Sequence, residues 1–408
     1  MVMDMFRASR RSLLQGLGAT TALCLWDAPL KFAFASVPGD RRLVVVILRG
    51  AVDGLAAVPP HGDKDYAATR GALALTIDGT APLHDLDGLF GLHPALANLK
   101  SIYDAKELIA FQNICSPYRD RSHFEGQNVL ETGSVKPHVI SDGWLNRALT
   151  PMGLGDGGHA LAVAQTPPLL LTGPARATSW MPASLPTPDA AFLARVKLLY
   201  AQDAVLSRSL EDALSLQSAA MIASDDPSDK KMGPGNAANL TPLFAGAGRL
   251  LSGNDGPRVA VLDISGWDTH INEGAADGAL ARRLAALDAG LDALKTALGP
   301  AWSKTAIVMA TEFGRTARPN GSGGTDHGTG GASFLLGGAV AGGHVRAEWT
   351  GLSSAALQDG RDQPARSDLR SLFKGVLADH MGVPASALNG TVFPDSANAP
   401  TMTGLIRA

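Results

Sequence analysis

The sequence predicts an α/β protein built on a doubly wound, mostly parallel sheet with helices on both faces. Two observations support this fold class. Apolar runs of six to eight residues, the length of a buried strand, recur along the chain, and helical patterns separate them. The first run, Leu43–Leu48, is apolar without interruption, as expected of a central parallel strand that is covered on both faces.

Five more segments of the amino-terminal half have strand or helix patterns. We expect a helix over Pro94–Ala105, a buried strand over Leu108–Cys115, a helix over Ser122–Thr132, and short strands over Ala160–Ala164 and Leu169–Leu171. Cys115 ends the buried strand, and a thiol in such a run is typical of a packed, inert cysteine.

The carboxy-terminal half continues the alternation after an interruption. Phe192–Ile222 predicts a long helix, and Ser224–Leu240, with its prolines, glycines and charges, predicts a loop. Residues 150–250 could therefore form a helical insert or cap. One apolar stripe then predicts an amphipathic helix, with leucines at spacings of four and three: Leu280, Leu284, Leu287, Leu291, Leu294 and Leu298. The other expected elements are strands over Val259–Ile264, Thr305–Ala310 and Ser333–Leu336 and a helix over Ser367–His380.

Residues 1–35 have the three-part order of an export signal. Ser9–Leu14 matches the twin-arginine pattern, Leu13–Leu25 is a moderately apolar core, and Ala33–Ala35 offers small residues for cleavage. The core is shorter than the about 20 residues of a membrane span. We expect the twin-arginine translocase as a partner during export, a periplasmic or secreted destination, and no membrane association of the mature domain, residues 36–408.

Charge and cysteine content narrow the classes of function. The chain has a formal net charge of −3, and removal of residues 1–35, with four basic and two acidic residues, leaves −5. This balance argues against nucleic acid as a partner, because phosphate backbones bind to basic surfaces. Cys115 is the one cysteine after cleavage, so the mature chain cannot form an intramolecular disulfide.

Carboxylates and histidines follow predicted strands, at the positions where open α/β sheets bind ligands. Asp53 follows the first strand, where it could be a metal ligand or a helix cap. Asp268 and His270 are two residues apart, so an extended backbone would place both side chains on one side. The alternative is a turn in which Asp268 caps backbone amides. Such ligands suit divalent zinc, calcium, magnesium or manganese.

The glycine-rich stretch after Thr305–Ala310 adds further candidates. Glu312 lies at the strand end, and glycines around Asp326 and His327 permit the backbone geometry that would let both converge. Asp326 could instead orient an imidazole from outside the ligand set. Arg315 could hold an anion or pair with a nearby carboxylate.

Ser122 has two compatible interpretations. With Glu125 three residues later, it forms the sequence pattern of a capping box. It could also be a nucleophile at a helix N-terminus, where amides and the helix dipole favour a phosphate or sulfate. A metal ion would then lower the pKa of its hydroxyl. Arg119 and Arg121 could bind anionic oxygens.

Five motifs together resemble the domain-of-unknown-function family 1501 (DUF1501). Its members are commonly twin-arginine exported proteins related to the alkaline phosphatase, sulfatase and phosphoglycerate mutase superfamily. The motifs occur in the expected order over nearly the whole mature chain: LRGAVDG from Leu48, SHFEGQ from Ser122, GWDTH from Gly266, TEFGRT from Thr311 and TDHG from Thr325.

The resemblance implies a role for each matched residue. The superfamily usually has an Asp-His pair directly after the strand that here ends in Glu312, whereas this chain has its Asp-His pair in the later glycine-rich loop. It implies that Asp53 is the metal ligand after the first strand and that Ser122 is the nucleophile. It also implies that Asp268 and His270 are the ligand pair of one metal and that His327 is the late histidine ligand.

These observations predict an exported, metal-dependent hydrolase of small phosphate or sulfate esters. Ser122 would attack, and Arg121 or Arg315 would steady the anion. The expected metal ligands are Asp53, Asp268, His270, Glu312, Asp326 and His327. The rival hypothesis is a non-catalytic periplasmic protein that binds a metal or another ligand and keeps the superfamily fold.

Overall fold

The central sheet is organised around β1 (Arg42–Arg49), which lies between β7 (Val259–Ser265) and β8 (Thr305–Ala310) and is parallel to both. These contacts are seen in a computed structural model, which describes residues 40–182, 190–203, 206–207, 210 and 240–407. The described residues belong to one compact unit, Ala33–Ala408.

The sheet has nine strands among the described residues, in the order β10-β4-β9-β8-β1-β7-β5-β6, with β11 paired to β4. β9 is antiparallel to its neighbours β4 and β8, and the other pairs in this sheet are parallel. A separate two-stranded pair joins β2 and β3. The remaining bounds are β2 His84–Asp85, β3 Gly91–Leu92, β4 Leu108–Cys115, β5 Ala160–Val163, β6 Ala177–Trp180, β9 Gly331–Leu336, β10 His344–Ala347 and β11 Ser367–Asp368.

Helices flank and connect the strands. Their bounds are α1 Gly54–Ala57, α2 Tyr66–Arg70, α3 Ala97–Asp104, α4 His123–Thr132, α5 Trp144–Leu149, α6 Ala190–Tyr200, α7 Thr241–Ser252, α8 Ala279–Leu298, α9 Leu369–Asp379 and α10 Ala385–Ala387. Among the described residues, no helix is both long enough and apolar enough to span a membrane.

Alternation along β1 explains why both faces of the sheet are covered. Val44, Val46 and Leu48 pack on one face with apolar residues of α3, α7 and α8. Leu43 and Ile47 pack on the opposite face with residues of α5 and α9. A strand buried on both faces reads as a continuous apolar run. The predicted doubly wound, mostly parallel fold is confirmed.

One predicted strand is wrong. Leu169–Leu171 forms a single 3₁₀ turn, in which the amide of Leu171 donates to the carbonyl of Pro168. Pro167 and Pro168 precede it, and proline has no amide hydrogen to donate to a strand ladder.

The segment predicted as an insert, residues 150–250, is described in part. β5 and β6 lie within it and belong to the central sheet, and a cap formed by the rest stays a prediction. The predicted long helix Phe192–Ile222 is present as far as Tyr200, the end of α6, and its continuation over residues 201–203 is wrong, because these residues are not helical. The predicted signal peptide, the helix prediction beyond residue 210 and the loop prediction up to residue 239 lie outside the described residues.

Candidate metal centre

Loops from five strands meet at one edge of the sheet. β1, β4, β7 and β8 run in the same direction, so their carboxyl ends share this edge, and antiparallel β9 begins there. Side chains from these loops can therefore approach one another although they are far apart in sequence. They are Asp53 after β1, His123 after β4, Asp268 and His270 after β7, Glu312 after β8, and His327 before β9.

Three imidazole nitrogens and one carboxylate converge at this edge. His123 Nε2 and His270 Nε2 lie 2.9 and 3.0 Å from His327 Nε2. Asp268 Oδ1 lies 3.0 Å from His270 Nε2 and 3.3 Å from His327 Nε2, and its Oδ2 lies 3.4 Å from His123 Nε2. We call His123, His270 and His327, together with Asp268, the three-histidine cluster.

The second nitrogen of each ring faces an acceptor. His123 Nδ1 lies 2.7 Å from Glu312 Oε1, and His327 Nδ1 lies 3.0 Å from the carbonyl oxygen of Arg121. His270 Nδ1 lies 3.4 Å from Asp326 Oδ1. Carbonyl oxygens and ionised carboxylates accept hydrogen bonds and do not donate. With the hydrogen on Nδ1, a ring in its neutral form presents an Nε2 lone pair to the cluster.

Lone pairs at these separations need a cation between them. A single proton could bridge one of the two close nitrogen pairs, whereas a divalent metal accepts electrons from all of the ligands. The ligand atoms of His123, Asp268 and His327 all lie within 4.8 Å of one another, and His270 Nε2 lies 3.0 Å from both His327 Nε2 and Asp268 Oδ1. The contacts of 2.9 to 3.4 Å are near the about 3.3 Å between neighbouring ligand atoms of a zinc site with bonds of ~2.0–2.1 Å. Metal-bound histidines also commonly donate their other N–H to a carboxylate or carbonyl. The residues fit a metal ion.

Glu312 and Phe313 hold the rings from behind. Glu312 is fully buried, and besides His123 its carboxylate accepts from the amide of Gly50 at 2.9 Å and from Gln127 Nε2 at 3.1 Å. Phe313 stacks on His123 with ring centroids 5.0 Å apart and also contacts His327. Glu312 therefore orients a histidine.

Charges around the cluster shift its pKa values. The hydrogen bond to Glu312 raises the pKa of His123. Burial would raise the pKa of Asp268, but the charge and hydrogen bond of Arg315, helped by the histidines, hold it below its ordinary value. Burial, followed by the positive charges of His123 and Arg315, lowers the pKa of His327. His327 thus favours the neutral state that a metal ligand needs.

Asp326 lies behind His270. A hydrogen bond from Asn320, followed by smaller contributions from His270 and Arg361, lowers the pKa of Asp326 despite some desolvation. Its carboxylate is therefore ionised and accepts from His270. This position matches the alternative in which Asp326 orients an imidazole.

Arg315 is buried and bonded to the protein itself. Its Nε donates to the carbonyl of Ala51 at 2.7 Å, and its Nη1 donates to Thr325 at 2.8 Å. Its Nη2 donates to the carbonyl of Gly50 at 2.9 Å and forms an ion pair with Asp268. With its donors committed in this way, Arg315 matches the alternative in which it pairs with a nearby carboxylate, and its role in holding a substrate anion stays a prediction.

Asp53 belongs to a separate buried cluster. Its Oδ1 accepts from the amides of Leu55 and Ala56 at 2.9 and 3.2 Å, which caps α1, and its Oδ2 accepts from Arg70 Nη2 at 2.6 Å. Both side chains are buried. Two amides and a guanidinium occupy the oxygens of Asp53, which matches the helix-cap alternative, and its role as a metal ligand stays a prediction.

Glu273 completes this second cluster. Its Oε2 accepts from the hydroxyls of Thr269 and Thr325 at 3.0 and 2.8 Å, so it joins the loop after β7 to the loop before β9. Burial, followed by the charge of Asp53, raises the pKa of Glu273 to about 9. Glu273 is therefore protonated at neutral pH.

Ser122 is the N-cap residue of α4, but the predicted capping box does not form. The Ser122 side chain makes no capping hydrogen bond, and the carboxylate of Glu125 accepts from the hydroxyl of Tyr118 at 2.5 Å. Ser122 thus stands between Arg121, whose carbonyl holds His327, and His123. Arg119 donates to the carbonyls of Ser116 and Tyr118.

His123 is the one member of the three-histidine cluster that the sequence analysis missed. The SHFEGQ motif was interpreted through its first residue, Ser122, as a nucleophile. The available signal was position, because His123 is the first imidazole after β4, a strand that ends at the same edge as β7 and β8.

The family model for "Protein of unknown function (DUF1501)" matches residues 107–392, more than half of the chain. The chain therefore belongs to the DUF1501 family, as the motifs indicated. Among curated proteins, no sequence matches this chain closely enough to count as a relative.

Three solved structures are similar to this chain at low sequence identity. The C-terminal periplasmic domain of EcEptC from Escherichia coli, in complex with Zn, has 9% identity, covers 73% of each chain and has a TM-score of 0.37. Phosphonate monoester hydrolase of Agrobacterium radiobacter has 12% identity, covers 84% of this chain and 74% of its own, and has a TM-score of 0.34. Ps i-CgsB in complex with k-i-k-neocarrahexaose has 12% identity, coverage of 88% and 77%, and a TM-score of 0.39.

Proposed function

We propose that this protein is an exported, metal-dependent hydrolase of phosphate or sulfate esters. The observation that carries the proposal is that ligand atoms of His123, Asp268 and His327 lie within 4.8 Å of one another, with His270 Nε2 3.0 Å from both His327 Nε2 and Asp268 Oδ1. Asp268 and His270 are 40% and 37% exposed at their side chains, so solvent and a small substrate can reach the centre.

The ligand set favours zinc among the metals considered from sequence. Imidazole suits zinc, whereas calcium and magnesium prefer oxygen ligands. His123, His270, His327 and Asp268 would hold the ion. When bound, it would supply Lewis-acid polarisation of a phosphoryl or sulfuryl oxygen.

Ser122 is the proposed nucleophile. It precedes the ligand His123, and its hydroxyl is not used for capping. Its Oγ would form a bond to phosphorus or sulfur while the bond to the leaving alcohol oxygen breaks, and water would then cleave the serine ester. Arg121, 31% exposed at its side chain, would bind the non-bridging oxygens.

Export rests on the amino-terminal pattern. The twin-arginine motif, apolar core and small residues in residues 1–35 support passage through the twin-arginine translocase to the periplasm or beyond. This route carries folded proteins, so the ion could be inserted before export.

A second candidate function is a periplasmic metal-binding protein without catalysis. The observation that favours it is that Asp53 and Arg315, the expected extra ligand and anion clamp, are both committed to structural contacts. The described site then offers ligands for one ion.

Metal content and ester hydrolysis test the proposal together. Protein purified from the periplasm should hold about one zinc per chain and hydrolyse 4-nitrophenyl phosphate or sulfate. Ser122→Ala should keep the zinc and lose hydrolysis by about a thousandfold or more, because the attacking atom is gone. Ser101→Ala, on the exposed surface of α3, is the matched control and should retain both.

The outcomes separate the candidates. Bound zinc with no hydrolysis across an ester panel would favour the non-catalytic function. Hydrolysis that Ser122→Ala leaves unchanged would refute the serine mechanism. Wild-type protein that takes up no zinc, or zinc uptake that His327→Ala leaves unchanged, would contradict the metal centre itself.

A further inference from the structure

Two guanidinium groups beside the three-histidine cluster share one buried carboxylate. Arg121 Nη2 lies 3.3 Å from both oxygens of Asp362, and Arg361 Nη1 lies 3.3 Å from Asp362 Oδ1. Asp362 is fully buried, whereas the arginine side chains are 31% and 40% exposed. Two positive charges against one negative charge leave an excess of one positive charge.

Both guanidinium groups have unused hydrogen-bonding capacity. A guanidinium has five N–H donors. The Nε of Arg121 is buried and has no hydrogen-bond partner in the described part of the chain, and its Nη2 makes only long contacts, the last at 3.4 Å to Thr329 Oγ1. Among the described residues, the side-chain contacts of Arg361 run through Nη1. Arg315, by contrast, donates from all three of its nitrogens. The donors left for a ligand are Nη1 of Arg121 and the Nε and Nη2 of Arg361, for which the described part of the chain offers no acceptor.

The chain fixes this pair next to the centre. The carbonyl of Arg121 accepts from His327 Nδ1, and Arg121 has a φ of 60°, a left-handed conformation that is uncommon outside glycine. Arg361 is tied to the same place through Asp362, because its Nη1 contacts the carboxylate that Arg121 also contacts, and Asp362 pairs with Thr316 after β8. The carbonyl of Arg361 accepts from the amide of Ala317, which anchors its backbone.

We propose that Arg121 and Arg361 form an oxyanion subsite that binds the terminal group of a phosphate or sulfate monoester. This inference rests on the proposed function and narrows its substrate class. Guanidinium groups bind such oxygens in pairs. A monoester has three unsubstituted oxygens and a diester has two. With one of them facing the metal, a monoester has two left for the two guanidinium groups and a diester has one, so the pair matches the monoester. Arg361 is a specificity-determining residue that the sequence motifs did not indicate.

Calorimetric binding of inorganic phosphate and sulfate tests the subsite without relying on turnover. The titrations use zinc-loaded protein at fixed ionic strength, with zinc content measured in each sample. Arg361→Gln should weaken phosphate binding by about tenfold, because charge-assisted hydrogen bonds are lost, and should leave zinc content unchanged. Arg361→Lys keeps the charge but loses the planar fork, and should fall between wild type and Arg361→Gln. Arg282→Gln, on the exposed face of α8, is the control and should match wild type.

Substrate preference gives a second readout. Wild type should prefer 4-nitrophenyl phosphate or sulfate over bis(4-nitrophenyl) phosphate, and Arg361→Gln should reduce this preference by raising KM for the monoester. Phosphate and sulfate binding that Arg361→Gln leaves unchanged would overturn the subsite, even if the esters are hydrolysed. Arginine-dependent anion binding in a protein that hydrolyses no ester would support the subsite while the proposed function fails.

Discussion

At the scale of single residues, the groups behind the histidines decide what the centre can bind. Glu312, Asp326 and the carbonyl of Arg121 each face an Nδ1 atom, which leaves the Nε2 atom of each ring on the side of Asp268. Arg315 supports Asp268, because its ion pair holds the carboxylate in place and lowers the pKa of Asp268, which keeps the carboxylate ionised. The supporting residues are therefore as necessary as the ligands.

Glu312→Gln should weaken zinc binding by about tenfold to a hundredfold. The substitution keeps the shape of the side chain but removes the charge that favours the Nδ1 hydrogen of His123. Competition with a coloured chelator measures the affinity. Glu348→Gln, at an exposed glutamate, should leave the affinity unchanged, and equal affinities in both variants would show that Glu312 does not support the centre.

Glu273→Gln should stabilise the protein, and the gain should grow as pH rises. Glu273 ionises near 4.5 when unfolded and near 9 when folded, so between these values the folded state binds one more proton. Stability of the wild type therefore falls as pH rises across that window, whereas glutamine does not titrate. The gain should reach up to about 3 kcal/mol at pH 7. Denaturant unfolding at pH 5, 7 and 8 measures it, and a gain that is constant or shrinks with pH would contradict a protonated Glu273.

At the scale of elements, the two ends of the loop that joins β8 to β9 pack backbone against backbone. The amide of Gly328 donates to the carbonyl of Gly314 at 2.7 Å, and the amide of Gly314 donates to Thr329 at 2.9 Å. A Cβ at Gly314 would lie 1.9 Å from the carbonyl oxygen of Gly330. Glycine is thus required where the two ends of this loop touch. The contact between the ends sets the distance between Glu312 and His327.

Gly328→Ala should lower both the melting temperature and zinc affinity. Its Cβ would lie 2.4 Å from the carbonyl group of Arg315, so the two ends of this loop would have to separate. The separation should lower the free energy of unfolding by about 1–3 kcal/mol. Gly321→Ala is the matched control in the same loop, because a Cβ there meets no atom within 4 Å. Thermal unfolding and zinc titration compare the two variants. Similar losses in both would show that close packing at Gly328 is not the cause.

At the scale of the whole molecule, the sequence predicted the elements better than it predicted which side chains meet. Apolar runs such as Leu43–Leu48 report burial directly, and the sheet around β1 follows from them. The 3₁₀ turn at Leu169–Leu171 was missed because three leucines look alike in either structure, and only the preceding prolines distinguish them.

The site could be predicted only in part, because its geometry depends on packing over long sequence separations. Asp268, His270 and His327 lie together, yet the same pattern also suggested Asp53, which caps α1 and pairs with Arg70. A carboxylate after a strand looks the same whether a metal or a guanidinium faces it. No sequence pattern links Arg70 to Asp53. The sequence therefore could not predict that the Arg70 guanidinium would occupy the carboxylate in place of a metal.

Anomalous X-ray diffraction at the zinc edge, from crystals of zinc-loaded protein, tests the three-histidine cluster most directly. We expect one peak at about 2.0–2.1 Å from the Nε2 atoms of His123, His270 and His327, with Asp268 completing the ligand set. The absence of a peak at these nitrogens, or a peak at Asp53 instead, would contradict the metal centre described for this protein.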